Sequence, residues 1–350
     1  MPLVTVLSDS THGDITHFQI ITVRVTTDEG IEGMGYTYTV DVGGAAIRAL
    51  IENDLIPVLM GADPRQTEKL WQEMWWRAHW VGRGGVLALA MSAVDIALWD
   101  VKGRVAEEPL WRLLGGNNPR VKAYAGGVDL YFTTDELKAQ TQAFLERGLK
   151  AIKMKVGREN LSEDVQRVAT VRRIVGKDFP LMVDANMGWT VAQAIRASKA
   201  LAEYGLYWLE EPTIPDDIEG HVRIAREGAL PIAAGENMHT LYEFQQLIGS
   251  GGAAFPEPDV SNIGGITAWM KVARLAEAYN LPVTSHGVHD IHVSLLAAIP
   301  NASYLELHGF PLDRFMVHPF RFENGEGVAS DRPGHGVEFD WEKLTEHEVS

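Results

Sequence analysis

The chain of 350 residues contains no cysteine. Disulfides, thiolate metal sites and thiol nucleophiles are therefore excluded, and the composition fits a reducing compartment such as the cytoplasm. No apolar run approaches the roughly 20 residues that cross a bilayer, and no charged-then-apolar leader opens the sequence, so neither a membrane-spanning nor a secreted protein is expected. Low-complexity segments are missing as well. Positive charge is scarce: Lys+Arg number 31 against 47 Asp+Glu, a net charge of −16. Such a surface repels phosphate backbones and argues against a nucleic-acid partner. What remains is the balance of a globular protein with a large core, 46% hydrophobic and 22% charged.

The first third reads as a hairpin followed by helices. Residues 17–26 are β-rich, Asp28-Glu29-Gly30 is a turn signal, and 31–39 form the returning strand. Helical periodicity follows over 45–60, 65–80 and 86–104. The stretch LWRLLGGNNP at 110–119 ends in Gly, Asn and Pro, a boundary signal that sets an α+β capping domain (1–115) apart from the rest. The chain opens at Met1-Pro2-Leu3 with no first strand for that domain in view. Beyond the boundary, β-prone segments at 121–124, 151–156, 180–184, 207–210, 232–236, 254–259, 283–286 and 304–307 are separated by helical stretches such as 133–147, 161–175 and 190–204. Thr190 and Gln193 have capping-box spacing, and Gly148, Gly176 and Gly205 stand where C-terminal caps belong. Strand–helix alternation calls for a parallel sheet, and eight strands call for closure into a barrel over 116–310. The last stretch, about 311–350, has few helical periods and is expected to fold back and complete the capping domain.

Ionisable residues fall at the ends of these strands. Asp184 ends LMVD, Glu210 ends YWLE and Glu236 ends PIAAGE, at successive spacings of 210 − 184 = 26 and 236 − 210 = 26 residues. Three carboxylates thus recur at one height on neighbouring strands, at the barrel end where chemistry is placed. Converging acids repel one another unless a cation joins them, and oxygen-only ligation favours Mg²⁺. Lys153 and Lys155 flank one residue of AIKMKVG, so both face one side of their strand. Two ammonium groups in a barrel strand need partners, and the acid cluster supplies them. Asp259 and His286 end the next two strands, and a carboxylate that orients an imidazole makes a general base. Glu306 closes the series on the eighth strand. Asp95 and Asp100 read as structural groups contacting helix ends or Arg104, and the Trp-rich stretch 70–80 reads as packing. Gly264-Gly265 opens a helix where an anion could rest.

KMK (Lys153, Lys155), VDAN (Asp184, Asn186), WLEEP (Glu210), GEN (Glu236), PD followed by NIGGIT (Asp259), SHG (His286) and YLE (Glu306) together resemble the enolase superfamily, mandelate racemase subgroup. The resemblance implies an α/β fold, a modified (β/α)7β TIM barrel with an α+β N-terminal capping domain. It further implies one Mg²⁺ on Asp184, Glu210 and Glu236, with Lys155 and the His286–Asp259 dyad as bases on opposite faces of the substrate. Lys153 would lower the pKa of Lys155 and contact the substrate carboxylate, and Glu306 would hydrogen-bond that carboxylate. Within the subgroup, SDSTHGDITHF, GYTYT, VGRGG, YAGGVDL and GVEFDW are similar to 3,6-anhydro-L-galactonate cycloisomerases and, less closely, to acid-sugar dehydratases. Glu257 stands where these relatives more often carry an uncharged residue, and His289-Asp290 replaces a Gln-Glu pair.

The implied chemistry is abstraction of the proton α to a carboxylate, its charge stabilised by Mg²⁺, Lys153 and a protonated Glu306. Enolase-superfamily sites are a standard example of a Lys or His base working with Mg²⁺. Expulsion of a β oxygen with His286 as acid then gives dehydration, or opening of an anhydro ring, to a 2-keto-3-deoxy acid, whereas return of a proton to the opposite face gives racemisation or epimerisation. Polar residues favour elimination: Asn186, His12, Asp14, Tyr36, His79, Trp80, Arg83 and His289 are the expected contacts of a polyhydroxy substrate. The alternatives are a 2-hydroxy-acid racemase and a barrel retained as a binding scaffold. A small carboxylate substrate and a homo-oligomer, with an octamer among the sizes the resemblance implies, complete the expectation.

Overall fold

Gly33 and Gly35 let the second strand of the N-terminal hairpin press on a long helix. A Cβ at Gly33 would lie 2.5 Å from the Val101 side chain, and one at Gly35 2.2 Å from the Ala93 carbonyl oxygen. The computed structural model describes residues 1–309 and 312–348, so the expected boundary at 310/311 lies outside the described residues. The chain begins with β1 (Pro2–Asp9), which pairs antiparallel with β2 (Gly13–His17). The first strand of the capping domain is therefore present, contrary to the sequence reading, where Val, Thr and Ser between Pro2 and Asp9 gave no clean alternation. β3 (Gln19–Thr26) and β4 (Glu32–Thr39) form the expected hairpin, in register from Gln19 opposite Thr39 to Thr26 opposite Glu32.

Helices α1 (Gly44–Leu50), α2 (Ile56–Leu59), α3 (Thr67–Ala78), α4 (Val86–Val105) and α5 (Leu110–Leu113) follow. The single helix expected over 45–60 is broken by a π-helical turn at Ile51–Leu55, just ahead of Pro57, whose ring nitrogen cannot donate to the preceding turn. Helix α4 is apolar nearly all round because it is buried, with Ala90, Met91, Val94, Ile96 and Val101 all inaccessible.

The barrel strands are β5 (Arg120–Gly126), β6 (Ile152–Lys155), β7 (Leu181–Asp184), β8 (Leu209–Glu210), β9 (Ile232–Ala234), β10 (Phe255–Pro256) and β11 (Leu305–Leu307). They pair in parallel from β5 to β10 in chain order, and β11 returns to β5. The gap between β10 and β11 is filled by Val283 and Thr284: Thr284 N–H donates to Pro256, and Val283 bridges Ala302. Eight staves result, separated by α6 (Thr134–Glu146), α7 (Leu161–Val175), α8 (Val191–Leu201), α9 (Ile218–Glu227), α10 (Leu241–Ser250), α11 (Gly265–Ala278) and α12 (His289–Ala297). This is the expected (β/α)7β barrel. The capping box at Thr190 and Gln193 is formed, and Gly148, Gly176 and Gly205 all adopt positive φ. Inside the barrel, Tyr124, Met182 and Trp208 make an apolar floor. Every helix among the described residues is too short or too polar to cross a membrane.

The tail contributes β12 (Arg321–Glu323), β13 (Glu326–Val328) and α13 (Trp341–Thr345). β13 pairs antiparallel with the start of β5. His335 reaches the capping strand β4 at the Met34 carbonyl (2.6 Å), and the Phe339 ring meets Tyr36 edge-on at 5.4 Å. Asp95 and Asp100 join the parts as structural groups. Asp95 accepts from the Thr267 N–H and hydroxyl (2.8 and 2.7 Å) at the start of α11. Asp100 accepts from Met34 N–H (3.0 Å), Arg104 (2.9 Å) and His335 N–H (3.1 Å). The Gly264-Gly265 helix start, read as an anion seat, is filled by these capping-domain groups: a Cβ at Gly265 would lie 2.5 Å from Asp95 Oδ2, and Gly264 N–H donates to Ser92.

Candidate active site

Strand register sets the site. Lys155 lies opposite Asp184 across β6–β7, and Asp184 lies opposite Glu210 across β7–β8. Side chains at these inward positions stand on the aromatic floor and point to one mouth. Glu236 follows β9 across Gly235, whose φ of +141° and a phantom Cβ 2.5 Å from the Phe244 ring admit only glycine. One carboxylate oxygen each from Asp184, Glu210 and Glu236 lies within 4.8 Å of the other two.

The lysines enter from β6. Lys155 Nζ is 2.5 Å from Asp184 Oδ2. Lys153, 1% exposed, pairs with Glu210, lies 3.3 Å from Asp184 and 3.0 Å from Glu306, and stands over the Tyr124 ring at 5.5 Å. Burial raises the pKa of Asp184, but Lys155 and Lys153 outweigh it and hold this carboxyl well below the usual range. Glu210 goes the other way: burial, with Asp184, Glu236 and Glu306 nearby, pushes it well above the usual range against the pull of Lys153. Burial and the repulsion of Lys153 lower the pKa of Lys155, but Asp184, Glu236 and Glu210 together carry it above the ordinary lysine value. The expected depression by Lys153 is present but overruled. Glu306, expected to be protonated, is held below the carboxylate range: burial raises it, and Lys153, His308 and His286 more than compensate.

Across the mouth, His286 Nδ1 meets Asp259 Oδ2 at 2.9 Å, and Nε2 lies 3.4 Å from Glu236 Oε2. Asp259 is fixed by the Ser261 N–H and hydroxyl, both at 2.7 Å, and by the Tyr38 hydroxyl at 3.3 Å. Burial lowers the pKa of His286, yet Glu236, Asp259 and Glu306 carry it up to about 10. In stave order the acids are bracketed by Lys155 on one side and His286 on the other. A substrate lying between them would meet an ammonium on one face and an imidazole on the other.

The structure thus brings Lys153, Lys155, Asp184, Glu210, Glu236, Asp259, His286 and Glu306 together. Asn186 is adjacent, its N–H on Asp184 Oδ1 (2.8 Å) and its side-chain Oδ1 buried without a hydrogen-bond donor. His12 joins them from the β1–β2 turn. The other expected substrate contacts lie elsewhere. Asp14 is exposed on β2, and Arg83 is exposed on the loop whose Gly84 touches His239. Trp80 is 90% exposed, and His79 bonds the Trp76 carbonyl. Tyr36 is fully buried with its hydroxyl on Asp290 (2.6 Å), and the His289 ring packs edge-on against Phe320 at 4.8 Å. These placements follow from tertiary packing that local sequence does not encode.

Several neighbours of the cluster escaped the sequence reading. Tyr38 shares the Tyr36 face of β4, and period-2 alternation in GYTYT was the signal that could have found it. Asp129, just past β5, accepts from the Lys155 N–H (3.1 Å) and from Arg167 (2.9 Å) and fixes the end of β6. His292 Nε2 accepts the Val260 N–H (2.9 Å), locking the backbone after Asp259. His308 lies 5.6 Å ring to ring from His286. Burial outweighs the attraction of Glu306 and lowers its pKa to about 3. Glu257, which the sequence already marked as a departure from the relatives, lies under the site, its Oε1 3.4 Å from the Tyr124 hydroxyl.

A (β/α)7β barrel with acids on three successive strands, lysines before them and a His–Asp pair after them defines one class of protein. The chain belongs to the mandelate racemase/muconate lactonizing enzyme family of the enolase superfamily: residues 7–115 match the Mandelate racemase / muconate lactonizing enzyme, N-terminal domain, and residues 136–343 the Enolase C-terminal domain-like family. Its relatives include the 3,6-anhydro-alpha-L-galactonate cycloisomerase of Streptomyces coelicolor, 55% identical over 98% of this chain and 95% of that protein. A crystal structure of a racemase from Streptomyces coelicolor with bound magnesium superposes with a TM-score of 0.98 at 54% identity, covering 100% of this chain and 97% of the other. L-talarate/galactarate dehydratase from Salmonella typhimurium, liganded with Mg and L-lyxarohydroxamate, matches at a TM-score of 0.94 and 33% identity over 98% of this chain and 89% of that one.

The residues present fit such an ion. The donor set is all oxygen, and Glu236 Oε2 is buried without a hydrogen-bond donor. A hard divalent cation suits that set and relieves the repulsion that pushes Glu210 upward.

Proposed function

We propose that this protein carries out Mg²⁺-dependent abstraction of the proton α to the carboxylate of a sugar acid, followed by β-elimination to a 2-keto-3-deoxy acid. The substrate class read as the best fit is a 3,6-anhydro-aldonate opened by cycloisomerisation, with acid-sugar dehydration as the close variant. The observation that carries this reading is the bracketing of three clustered carboxylates by Lys155 on one side and the His286–Asp259 pair on the other. Similarity to a cycloisomerase and to a talarate/galactarate dehydratase supports the substrate class.

Asp184, Glu210 and Glu236 hold the metal in this reading. When bound, Mg²⁺ supplies positive charge that makes the α-proton acidic and stabilises the charge left on the substrate carboxylate. Lys153 places its ammonium on the same carboxylate, and Glu306, anchored by Lys153 and by the Gly287 N–H at 2.9 Å, orients it. Lys155 and His286 face the two sides of Cα: one takes the proton and the opposed one, protonated, serves as the acid, Asp259 holding the imidazole by Nδ1 so that Nε2 is presented. Asn186 contributes its free carbonyl oxygen to the substrate hydroxyls.

The test is incubation with Mg²⁺ and a panel of aldonic, aldaric and anhydro-aldonic acids, with 2-keto products trapped by semicarbazide. A second reading, racemisation of a 2-hydroxy acid, is favoured by the opposed bases and by the described racemase of Streptomyces coelicolor. A blank across the sugar acids, together with racemisation of mandelate, supports that reading instead. We read the protein as a cytoplasmic homo-oligomer. Exposed Trp76, Trp80 and Val81 at one corner of the capping domain support association, and light scattering tests it, an octamer being the expected size.

A further inference from the structure

The strand that closes the barrel carries one more metal-ligating side chain than the proposed reaction uses. Glu306 and His308 stand two residues apart at the end of β11, so both face the mouth. His308 is half-buried there, its ring 5.6 Å from that of His286 at an interplanar angle of 70°. One ligand atom each from His286, Glu306 and His308 lies within 4.8 Å of the other two. This cluster shares no residue with Asp184, Glu210 and Glu236, and its donors differ. It offers two imidazole nitrogens and one carboxylate oxygen, where the three acids offer oxygen alone.

The ligands are held in place by their neighbours. Asp259 grips His286 by Nδ1 at 2.9 Å, so Nε2 is the nitrogen left to meet an ion. A carboxylate on the far nitrogen is the usual support of a ligating histidine, because it fixes the tautomer that ligation needs. Glu306 accepts the Gly287 N–H at Oε2 (2.9 Å) and faces Lys153 at Oε1 (3.0 Å), and each oxygen keeps a second lone pair. Ligand atoms about 2.0–2.1 Å from a tetrahedral ion stand about 3.4 Å from one another, so side-chain shifts on the order of 1 Å gather the three. Charge does not forbid a second dication. Asp184, Glu210, Glu236, Asp259 and Glu306 gather round the mouth, and Lys153, Lys155 and one Mg²⁺ fall one charge short of balancing them. Two imidazoles with a carboxylate form a borderline-soft set, which suits Zn²⁺ or Co²⁺ and not Mg²⁺.

We propose that His286, Glu306 and His308 form a second metal site, selective for Zn²⁺ and similar borderline cations, which shuts the enzyme while Mg²⁺ stays on the three acids. An ion seated there takes the Nε2 lone pair through which His286 moves its proton. It also takes the Glu306 oxygen that orients the substrate carboxylate, so ion and substrate compete. Because the two metal sites have separate ligands, additional Mg²⁺ does not relieve the inhibition. The inhibitory role rests on the proposed function, whereas the binding of the ion does not.

Co²⁺ added to the full chain saturated with Mg²⁺ is the probe. Two imidazoles and a carboxylate give the strong blue absorption of four-coordinate cobalt, whereas the three acids give the faint pink of six oxygens. A stoichiometric blue band is expected, and Zn²⁺ should displace it. His308→Gln should weaken cobalt binding by at least roughly 10–100-fold, the loss typical of removing a group that only supports a ligand. In parallel, Zn²⁺ should inhibit turnover of 3,6-anhydro-L-galactonate in excess Mg²⁺. The variant, measured against its own zinc-free rate, should need correspondingly more zinc for half inhibition. A melting temperature that still rises with Mg²⁺ certifies that the variant is folded with its acids in place. The proposal is overturned by a wild type without the blue band, by an equal band in His308→Gln, or by inhibition that extra Mg²⁺ reverses. A wild type that turns over no sugar acid counts against the proposed function alone, because the cobalt spectrum still decides the site.

Discussion

Asp259 and His286 face each other at 2.9 Å from staves that are neighbours in space and 286 − 259 = 27 residues apart in the chain. The carboxylate is locked by Ser261 and Tyr38 before it touches the imidazole, so its aim does not depend on substrate. Asp259→Asn removes the charge and disturbs the tautomer. Elimination is expected to fall about 10²–10⁴-fold, with Mg²⁺ affinity by calorimetry changed little. A variant that turns over normally removes the pair from the mechanism.

Lys155→Ala and Lys153→Met separate the β6 lysines. Loss of Lys155 should abolish elimination at saturating substrate, a kcat effect. Loss of Lys153 should also weaken substrate binding, because its ammonium contacts the carboxylate, so KM rises as kcat falls. Steady-state kinetics on both variants checks the split.

Chelation should silence the enzyme and added Mg²⁺ restore it. Glu236→Gln, which loses a charge at the rim of the cluster, should need far more metal for half activity. Metal bound only by the folded state should stabilise the wild type by about 2.7 kcal/mol at one hundred times its dissociation constant. Thermal unfolding with and without Mg²⁺ measures this, and a metal-independent melting temperature counts against the three carboxylates as ligands.

Asp95, in the seam between α4 and α11, has its pKa raised from 3.8 to about 7 by burial, against the opposing bonds from Thr267. Its folded form therefore holds a proton that the unfolded chain has released between those two values. Its contribution to stability is complete below the unfolded value and is lost as pH rises toward 7, at up to about 1.4 kcal/mol per unit. Asp95→Asn should flatten that slope, keeping an acceptor for the Thr267 N–H. Denaturant midpoints of both proteins at pH 5 and pH 8 give the comparison.

The barrel was legible in the sequence because each stave and helix carries its own pattern and because Asp184, Glu210 and Glu236 repeat with the unit. Period 2 placed Lys153 and Lys155 together for the same local reason. What failed to read was tertiary. Tyr36 and His289 have the chemistry of substrate contacts, but the tail packs Phe339 and Phe320 against them. Asp9 carries no pattern in the sequence, and only the hairpin turn brings it against His12. The first strand went unseen because β1 has an irregular register, slipping between Pro2 and Leu7.

β5 holds β6 on one edge and β11 on the other, Ala125 facing both Ile152 and Leu307. On the ribosome the second edge stays bare until nearly the whole polypeptide has emerged, and Lys153 waits equally long for Glu306. A message truncated before Leu305 yields an open, adhesive sheet whose buried Lys153 keeps Glu210 and Asp184 but lacks its third carboxylate. Such a product is a client for chaperones and proteases.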